Sequence, residues 1–405
     1  MAKIASLATL SAQVGVAISL TAIDEVRKRR APGGGSFPAL DPLDLKLGKN
    51  RMRTYTEGRS LYADMLAAIE SAQEFIFFET FIWKSDKVGQ RFKEALIRAA
   101  HRGVEVYCIF DGFANLVVNP LFKLFPNHPR LHVLKVPEVR IGMLTFNLRR
   151  TGRDHRKMLI VDGKIGFVGG YNIGKLYEDE WRDTHVRIEG PAVWELENGF
   201  SDFWNDFRWG KKPELPDRGA LAWDSDIRAA LNMPSKMLFP VRGLYIDAME
   251  RANKSALITS AYFIPDREIL DALIAAARRG VNVKVLVPER SNHVVADWIS
   301  HAYYDELIDA GIEIWQYKHA MIHAKTATVD GRWSTVGTAN IDRLSMFGNF
   351  EINMEFTSKA YARQMEAIFQ NDQTTAYRLD PDTWRSRPLL RRGIENLLKP
   401  LGVLI

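Results

Sequence analysis

The chain has one cysteine in 405 residues, Cys108, so no intramolecular disulfide can form. It lies in the apolar run Val104–Phe110 and reads as core, and its solitude fits a reducing compartment. There is no H-E-x-x-H and no Cys/His spacing of a zinc site, so no metal ligand set is recognisable. No basic stripe interleaved with aromatics is evident, and no nucleic-acid partner is expected. Charge is missing from Ile4–Ile23, twenty residues that are just long enough to span a bilayer but are diluted by Ser, Thr and Gln13. A secretory signal is disfavoured, because only Lys3 precedes that stretch and the basic cluster Arg27–Arg30 follows it. If the stretch crosses, the cluster places the body of the protein on the cytoplasmic side; otherwise it is a helix packed on the body. A composition of 46% hydrophobic and 26% charged residues excludes wholesale disorder. The net charge of +6 asks for an anionic partner, a membrane or a nucleic acid.

What is present is arranged twice. Leu61–Ala72 has helical apolar spacing, Phe75–Trp83 is an aromatic-rich strand, Phe92–Ala100 a helix closed by Gly103, and Val104–Phe110 a strand. The order returns as Leu244–Ala252, Ala256–Ile264, Ile269–Ala277 closed by Gly280, and Val281–Val287. Alternating strands and helices predict an α/β fold with a largely parallel sheet in each of two duplicated domains. The expected division is an apolar N-terminal segment and linker over 1–44, including the flexible Gly33–Pro42, then a first domain over 45–210. A linker over 211–240, a second domain over 241–380 and a basic amphipathic tail over 381–405 follow.

The duplication carries a motif. His155-x-Lys157-x4-Asp162 recurs as His323-x-Lys325-x4-Asp330, 168 residues later. Counted from each histidine, Val168 and Val336 share a position, as do Gly169 and Gly337, Asn172 and Asn340, and the carboxylates Asp183 and Glu351. Lys157–Val161 and Lys325–Val329 read as strands ending in Asp-Gly, a hairpin turn signal. His and Lys two residues apart on a strand project to one side, while Asp162 and Asp330 fall at the turn and read as structural.

Two lysines and two side-chain amides converging on a phosphodiester supply positive charge and donors without a metal. One histidine can attack phosphorus. The other can protonate the leaving alcohol and then deprotonate the incoming one, a role suited to the near-neutral pKa of imidazole. Asp183 and Glu351 are placed to hold each ring in the right tautomer. Of the remaining histidines, only His185 and His319 lie near enough to the motifs to be considered for substrate contact.

The paired motifs resemble the H-x-K-x4-D-x6-G-[GST]-x-N signatures of the phospholipase D superfamily. Over roughly residues 50–380 the chain is similar to bacterial cardiolipin synthases within it. The strings Glu79–Trp83, Val168–Asn172, Val186–Pro191, Ile322–Lys325, Trp333–Asn340 and Asn349–Asn353 carry the resemblance. It implies two α/β lobes packed as a pseudo-dimer with the site at their interface. It also implies transfer of a phosphatidyl group through phosphohistidine, with no cofactor or metal and with His155 as nucleophile and His323 as acid/base. Asn172, Asn340, Gly170 and Thr338 form the expected phosphate-binding set, although Gly170 and Thr338 stand where the motif often has Ser. Leu344 stands where many synthases carry Arg, which bears on acceptor contacts. The expected reaction moves a phosphatidyl group from one phosphatidylglycerol to another at the cytoplasmic face of the bacterial membrane, giving cardiolipin and glycerol. Hydrolysis of phospholipid, or less plausibly nucleic acid, and a catalytically dead lipid-binding scaffold are the alternatives.

Overall fold

The computed structural model describes residues 2–30, 36–138, 152–220 and 224–403. Residues 33–35 of the expected linker, residues 139–151 ahead of the first motif, and Leu404 and Ile405 of the tail lie outside them, as do the side chains of Arg27–Arg30.

The duplicated helices form where their caps and apolar spacing dictate. The Glu57 carboxylate accepts from the backbone N–H groups of Arg59 and Ser60, opening helix Gly58–Ser71, which buries Leu61, Tyr62, Met65, Ala68 and Ile69. Asp86 caps helix Lys87–His101, and its counterpart Asp266 caps helix Arg267–Arg278. Gly103 and Gly280 then turn the chain at φ +102° and +92°, a region glycine enters without a Cβ clash.

The first half contains strands β1 (Leu43–Leu47), β2 (Asn50–Tyr55), β3 (Phe75–Thr80), β4 (Glu105–Asp111) and β5 (Leu131–Val136). It continues with β6 (Met158–Val161), β7 (Ile165–Gly169), the short β8 (Trp181–Arg182) and β9 (His185–Glu189). The second half contains β10 (Ile227–Asn232), β11 (Ser255–Ser260), β12 (Asn282–Pro288), β13 (Glu313–Tyr317) and the short β14 (Met321–Ile322). It ends with β15 (Lys325–Val329), β16 (Trp333–Gly337), β17 (Glu351–Thr357) and β18 (Ala376–Arg378). Two eight-stranded sheets result, ordered β1-β2-β9-β7-β6-β3-β4-β5 and β10-β17-β16-β15-β11-β12-β13-β18.

The expected largely parallel sheet is corrected. Within these two sheets β3-β4-β5 and β11-β12-β13 run parallel, and the other neighbours pair antiparallel. The cause is local: the motif strands return through short Asp-Gly hairpins, which enforce antiparallel pairing, whereas parallel strands need long crossovers. The expected linker over 211–240 is corrected too, because its β10 pairs with β17 as the edge of the second sheet.

The halves share a core. Ile160, Val168, Val186, Phe200 and Trp204 of the first pack in one buried cluster with Val336, Phe350, Ile352, Met354 and Tyr361 of the second. Cys108 is buried in the first half's outer core.

Both termini dock on the second half. Among the described residues no helix is long and apolar enough to cross a membrane. Helix Ala2–Arg30 lays Val16, Ala17 and Leu20 against Ile264, Ile299 and Leu398, and Gln13 Nε2 donates to the Leu397 carbonyl at 2.8 Å. Of the two alternatives for residues 4–23, this packing is that of a helix laid on the body, with the polar Gln13 buried against protein. The tail forms helix Leu389–Leu398, packed on helix Val294–Asp309. Arg387 pairs with Asp305 and Glu395, Arg391 with Glu395, and Arg385 with Asp309.

Candidate active site

The two motifs meet across the seam between the halves, and the backbone brings them there. His155, just ahead of β6, donates its N–H to the carbonyl of Phe350 at 3.0 Å, and Phe350 immediately precedes Glu351. His323, between β14 and β15, donates to the carbonyl of Arg182 at 2.6 Å, and Arg182 immediately precedes Asp183. The short parallel pair β8–β14 reinforces the second junction. Each histidine is thus tethered beside the carboxylate of the opposite half.

The side chains follow. His155 Nδ1 lies 2.9 and 3.0 Å from the two oxygens of Glu351, and His323 Nδ1 lies 2.6 Å from Asp183 Oδ2. Both carboxylates are buried. With Nδ1 committed to a carboxylate, Nε2 is the nitrogen left for chemistry on each ring. Lys157 and Lys325 each donate to the backbone carbonyl of the histidine two residues before them.

The lysines and histidines act on one another electrically. Burial lowers the Lys157 ammonium to about 7 and that of Lys325 to about 8, although Glu351 and Asp183 oppose the shift. Burial also lowers both histidines, His323 well below its usual value, where the charges of Lys325, Lys157 and His155 add to the effect. Burial raises Asp183. Burial pushes Glu351 up as well, but His155, Lys157 and the Thr338 hydroxyl outweigh it and leave the group below its usual range. Two easily discharged ammonium groups in one buried site suit an anion that would restore their charge.

The other motif residues fall into place around this centre. Asn172 Oδ1 accepts from the Ile82 N–H at 3.0 Å, while Asn340 Oδ1 is buried without a partner. Thr338 Oγ1 donates to Glu351 Oε2 at 2.5 Å; Gly170 lies against Asp183, whose carboxylate fills the space where a side chain would be. Asp162 and Asp330 do not enter the site. Each sits at its hairpin turn with positive φ and accepts three backbone N–H groups: Gln73, Glu74 and Phe75 for Asp162, Asn253, Lys254 and Ser255 for Asp330. They tie the motif hairpins to the starts of β3 and β11. His185 is buried in β9 with both ring nitrogens unpartnered, and burial drives it to about 3. His319 lies in a left-handed turn between β13 and β14.

Several neighbours carry no motif signal. Phe81 packs edge-on against His155 with centroids 4.7 Å apart, and Trp181 lies 5.0 Å from His323. Beneath His155, buried Arg156 binds Asp154 and Glu79. Beneath His323, buried Arg182 grips Asp372 of the other half at 2.7 and 2.8 Å. Glu79 and Phe81 fall in the string Glu79–Trp83 that carries the resemblance, and adjacency in sequence, Trp181-Arg182-Asp183 and Asp154-His155-Arg156, hinted at others. A cavity of about 490 Å³ is lined by Lys46, Arg51, Arg53 and Arg187 along β1, β2 and β9, and the histidines are not among its lining residues.

Comparison with known proteins agrees with this geometry. Residues 65–204 and 245–373 match the family described as "Cardiolipin synthase, PLD-like domain". The chain is 30% identical over 368 residues to the Major cardiolipin synthase ClsA of Bacillus subtilis, covering 87% of this chain and 75% of that protein. It is 32% identical over 364 residues to a cardiolipin synthase of Geobacillus, covering 87% and 72%. The crystal structure of a phosphatidylserine synthase from Haemophilus influenzae superposes with a TM-score of 0.67 at 15% identity, over 90% of this chain and 95% of that one, a likeness of fold. With both halves matched over the segments that carry the histidines, the chain belongs to the cardiolipin synthase, PLD-like domain family and is an enzyme of the phospholipase D superfamily.

Proposed function

We propose that the enzyme is a phosphatidyltransferase of the cardiolipin synthase type, acting at the surface of the bacterial membrane on its cytoplasmic side. The observation that supports this best is the crossed pair of carboxylate-held histidines with two lysines between them, on a chain whose relatives are named cardiolipin synthases. In the first step Nε2 of His155 attacks phosphorus of phosphatidylglycerol. The P–O bond to the headgroup glycerol breaks, and His323 gives that oxygen its proton. In the second step a hydroxyl of another phosphatidylglycerol loses its proton to His323 and attacks the phosphohistidine. Cardiolipin forms and His155 is released. Lys157, Lys325, Asn172 and Asn340 hold the non-bridging oxygens, aided by the backbone at Gly170 and Thr338. Glu351 and Asp183 fix the rings.

The reverse assignment has one observation in its favour: His323 is held further toward the neutral, nucleophilic form than His155. Water in place of the second lipid would yield phosphatidic acid instead.

Incubation with phosphatidylglycerol in mixed micelles, chelator present, separates these readings. Cardiolipin plus glycerol is the expected product pair; phosphatidic acid indicates a hydrolase, and no turnover overturns the enzymatic reading. Loss of turnover on chelation would overturn the metal-free chemistry. His155→Ala abolishes an acid-labile phosphoenzyme and His323→Ala traps it; the opposite result exchanges the roles.

A further inference from the structure

Among the described residues, large exposed apolar side chains gather in a few segments. All but Trp209 fall in the N-terminal helix, the segment 113–124, residues 237–238 with 344–347, or the start of helix Leu389–Leu398. Lone exposed apolar residues need no explanation, but grouped ones do.

Two of these groups lie close in the chain or in contact to residues around His155, and the terminal helices pack on a helix that begins near His323. Segment 113–124 leaves β4, and its Asn115 binds the carbonyl of Phe81, the ring packed on His155; Phe113 lies under Arg153, two residues from His155. Val117 is 85% and Leu121 73% exposed there. Leu344 and Phe347 follow the second motif, where Gly348 lies against Gly152, three residues before His155. In the second half the segment leaving β12 starts with His293, whose ring faces Tyr262, itself packed on His323, and continues as helix Val294–Asp309. On that helix ride the N-terminal helix and helix Leu389–Leu398, with Leu389 80% and Leu390 77% exposed. The equivalent strands β4 and β12 are thus each followed by a segment that carries, or packs against, an exposed apolar lip.

The mouth is narrow: His155 keeps 8% of its surface and His323 5%. A phospholipid phosphate can reach them only if its acyl chains stay outside. A cavity of about 250 Å³ beside the second lip, lined by Arg267, Arg343, Lys399, Ile264, Leu270 and Tyr303, adds cations beside apolar walls.

We propose that these lips form a membrane-docking face that seats the mouth directly on an anionic bilayer, with segment 113–124 entering on the His155 side and the two terminal helices on the His323 side. The idea rests on the phosphatidyltransferase reading for its substrate. Apolar insertion flanked by basic residues is the pattern of interfacial binding, and it serves attachment where the described residues contain no membrane-crossing helix.

The test pairs Val117→Asp/Leu121→Asp with Leu389→Asp/Leu390→Asp, singly as pairs and combined, and uses Trp209→Asp as an off-face control. Each pair lowers cosedimentation with phosphatidylglycerol-containing vesicles at least tenfold, the combination abolishes it, and Trp209→Asp leaves it unchanged. Turnover of a short-chain, monomeric phosphatidylglycerol stays at the unmodified level in every variant, which also shows that they are folded. Full vesicle binding by the combined variant, or equal loss with Trp209→Asp, overturns the proposal. If the unmodified enzyme fails to turn over the short-chain lipid, the catalytic reading falls while the vesicle measurement still judges the face.

Discussion

The two half-sites use the same parts and hold them differently. Glu351 meets His155 with both oxygens and takes a second donor from the Thr338 hydroxyl. Asp183, one methylene shorter, gives one oxygen to His323 and the other to the Thr184 backbone N–H at 2.7 Å. Gly170 permits this, because a Cβ there would stand 2.1 Å from Asp183 Oδ1. A buried anion needs more than one donor, and each half found its second from a different source. The surroundings diverge as well. Asp154 and Arg156 flank His155 within a buried ionic cluster, whereas Ile322 and Ala324 flank His323, whose support comes instead from Arg182 clamped to Asp372.

Removing the carboxylate charge tests the comparison most severely. Glu351→Gln and Asp183→Asn are each expected to lower kcat by about 10³- to 10⁴-fold, the scale seen when an orienting carboxylate is made an amide. Gly170→Ala, which displaces Asp183, should approach the Asp183→Asn loss. A loss under about tenfold in either amide variant would show that its carboxylate does not orient the ring. Next comes the clamp. Asp372→Ala leaves Arg182 buried and uncompensated, and is expected to cost about 3–5 kcal/mol in denaturant unfolding. Removing the exposed Arg385–Asp309 pair should cost under about 1 kcal/mol. Equal costs for the two would sink the idea that the clamp joins the halves.

Thr338→Val probes the smaller difference. It deletes the hydroxyl donor to Glu351 at constant shape, removing a hydrogen bond to a charged group worth about 1.5–3 kcal/mol, so kcat should fall about 10- to 100-fold. His155 should also become easier to protonate at fixed charge on Glu351, or Glu351 itself easier to neutralise. An unchanged rate would mean that the Thr338 hydroxyl is redundant and the two half-sites are equivalent after all.

Much of this was readable before the fold. The repeat announced two α/β halves because each carries the same order of apolar segments and the same glycine stops. Asp-Gly after each motif strand marked a turn for Asp162 and Asp330, where the chain indeed bends. What escaped was non-local. The antiparallel strands β2, β9, β10 and β17 depend on partners far along the chain, so a helix-and-strand rhythm suggested a largely parallel order. The exchange of carboxylates between halves could not be read from equal offsets, since an offset records spacing within a copy and the pairing arises between copies. Phe81, Trp181, Arg182 and Asp372 had no repeat to reveal them, because their counterparts differ.

The mildest prediction concerns the lysines that both half-sites share. Burial depresses Lys157 to about 7 and Lys325 to about 8. Since kcat/KM reports the free enzyme, it should fall as pH rises through 7 to 8, when the ammonium charges needed for the phosphate are lost. Stability moves the other way. An unfolded lysine titrates near 10.4, so between about pH 7 and 9 the unfolded chain binds more protons than the native one, and stability rises with pH across that window. The slope from one such group is at most about 1.4 kcal/mol per pH unit. Lys157→Met removes its share, so the unmodified enzyme and the variant, unfolded in denaturant at pH 7, 8 and 9, should differ in slope. Identical slopes would mean that Lys157 keeps an ordinary pKa and the site is wetter than its burial implies. A shallower slope for Lys325→Met than for Lys157→Met would instead reverse the order of the two half-sites, placing the drier lysine beside Asp183.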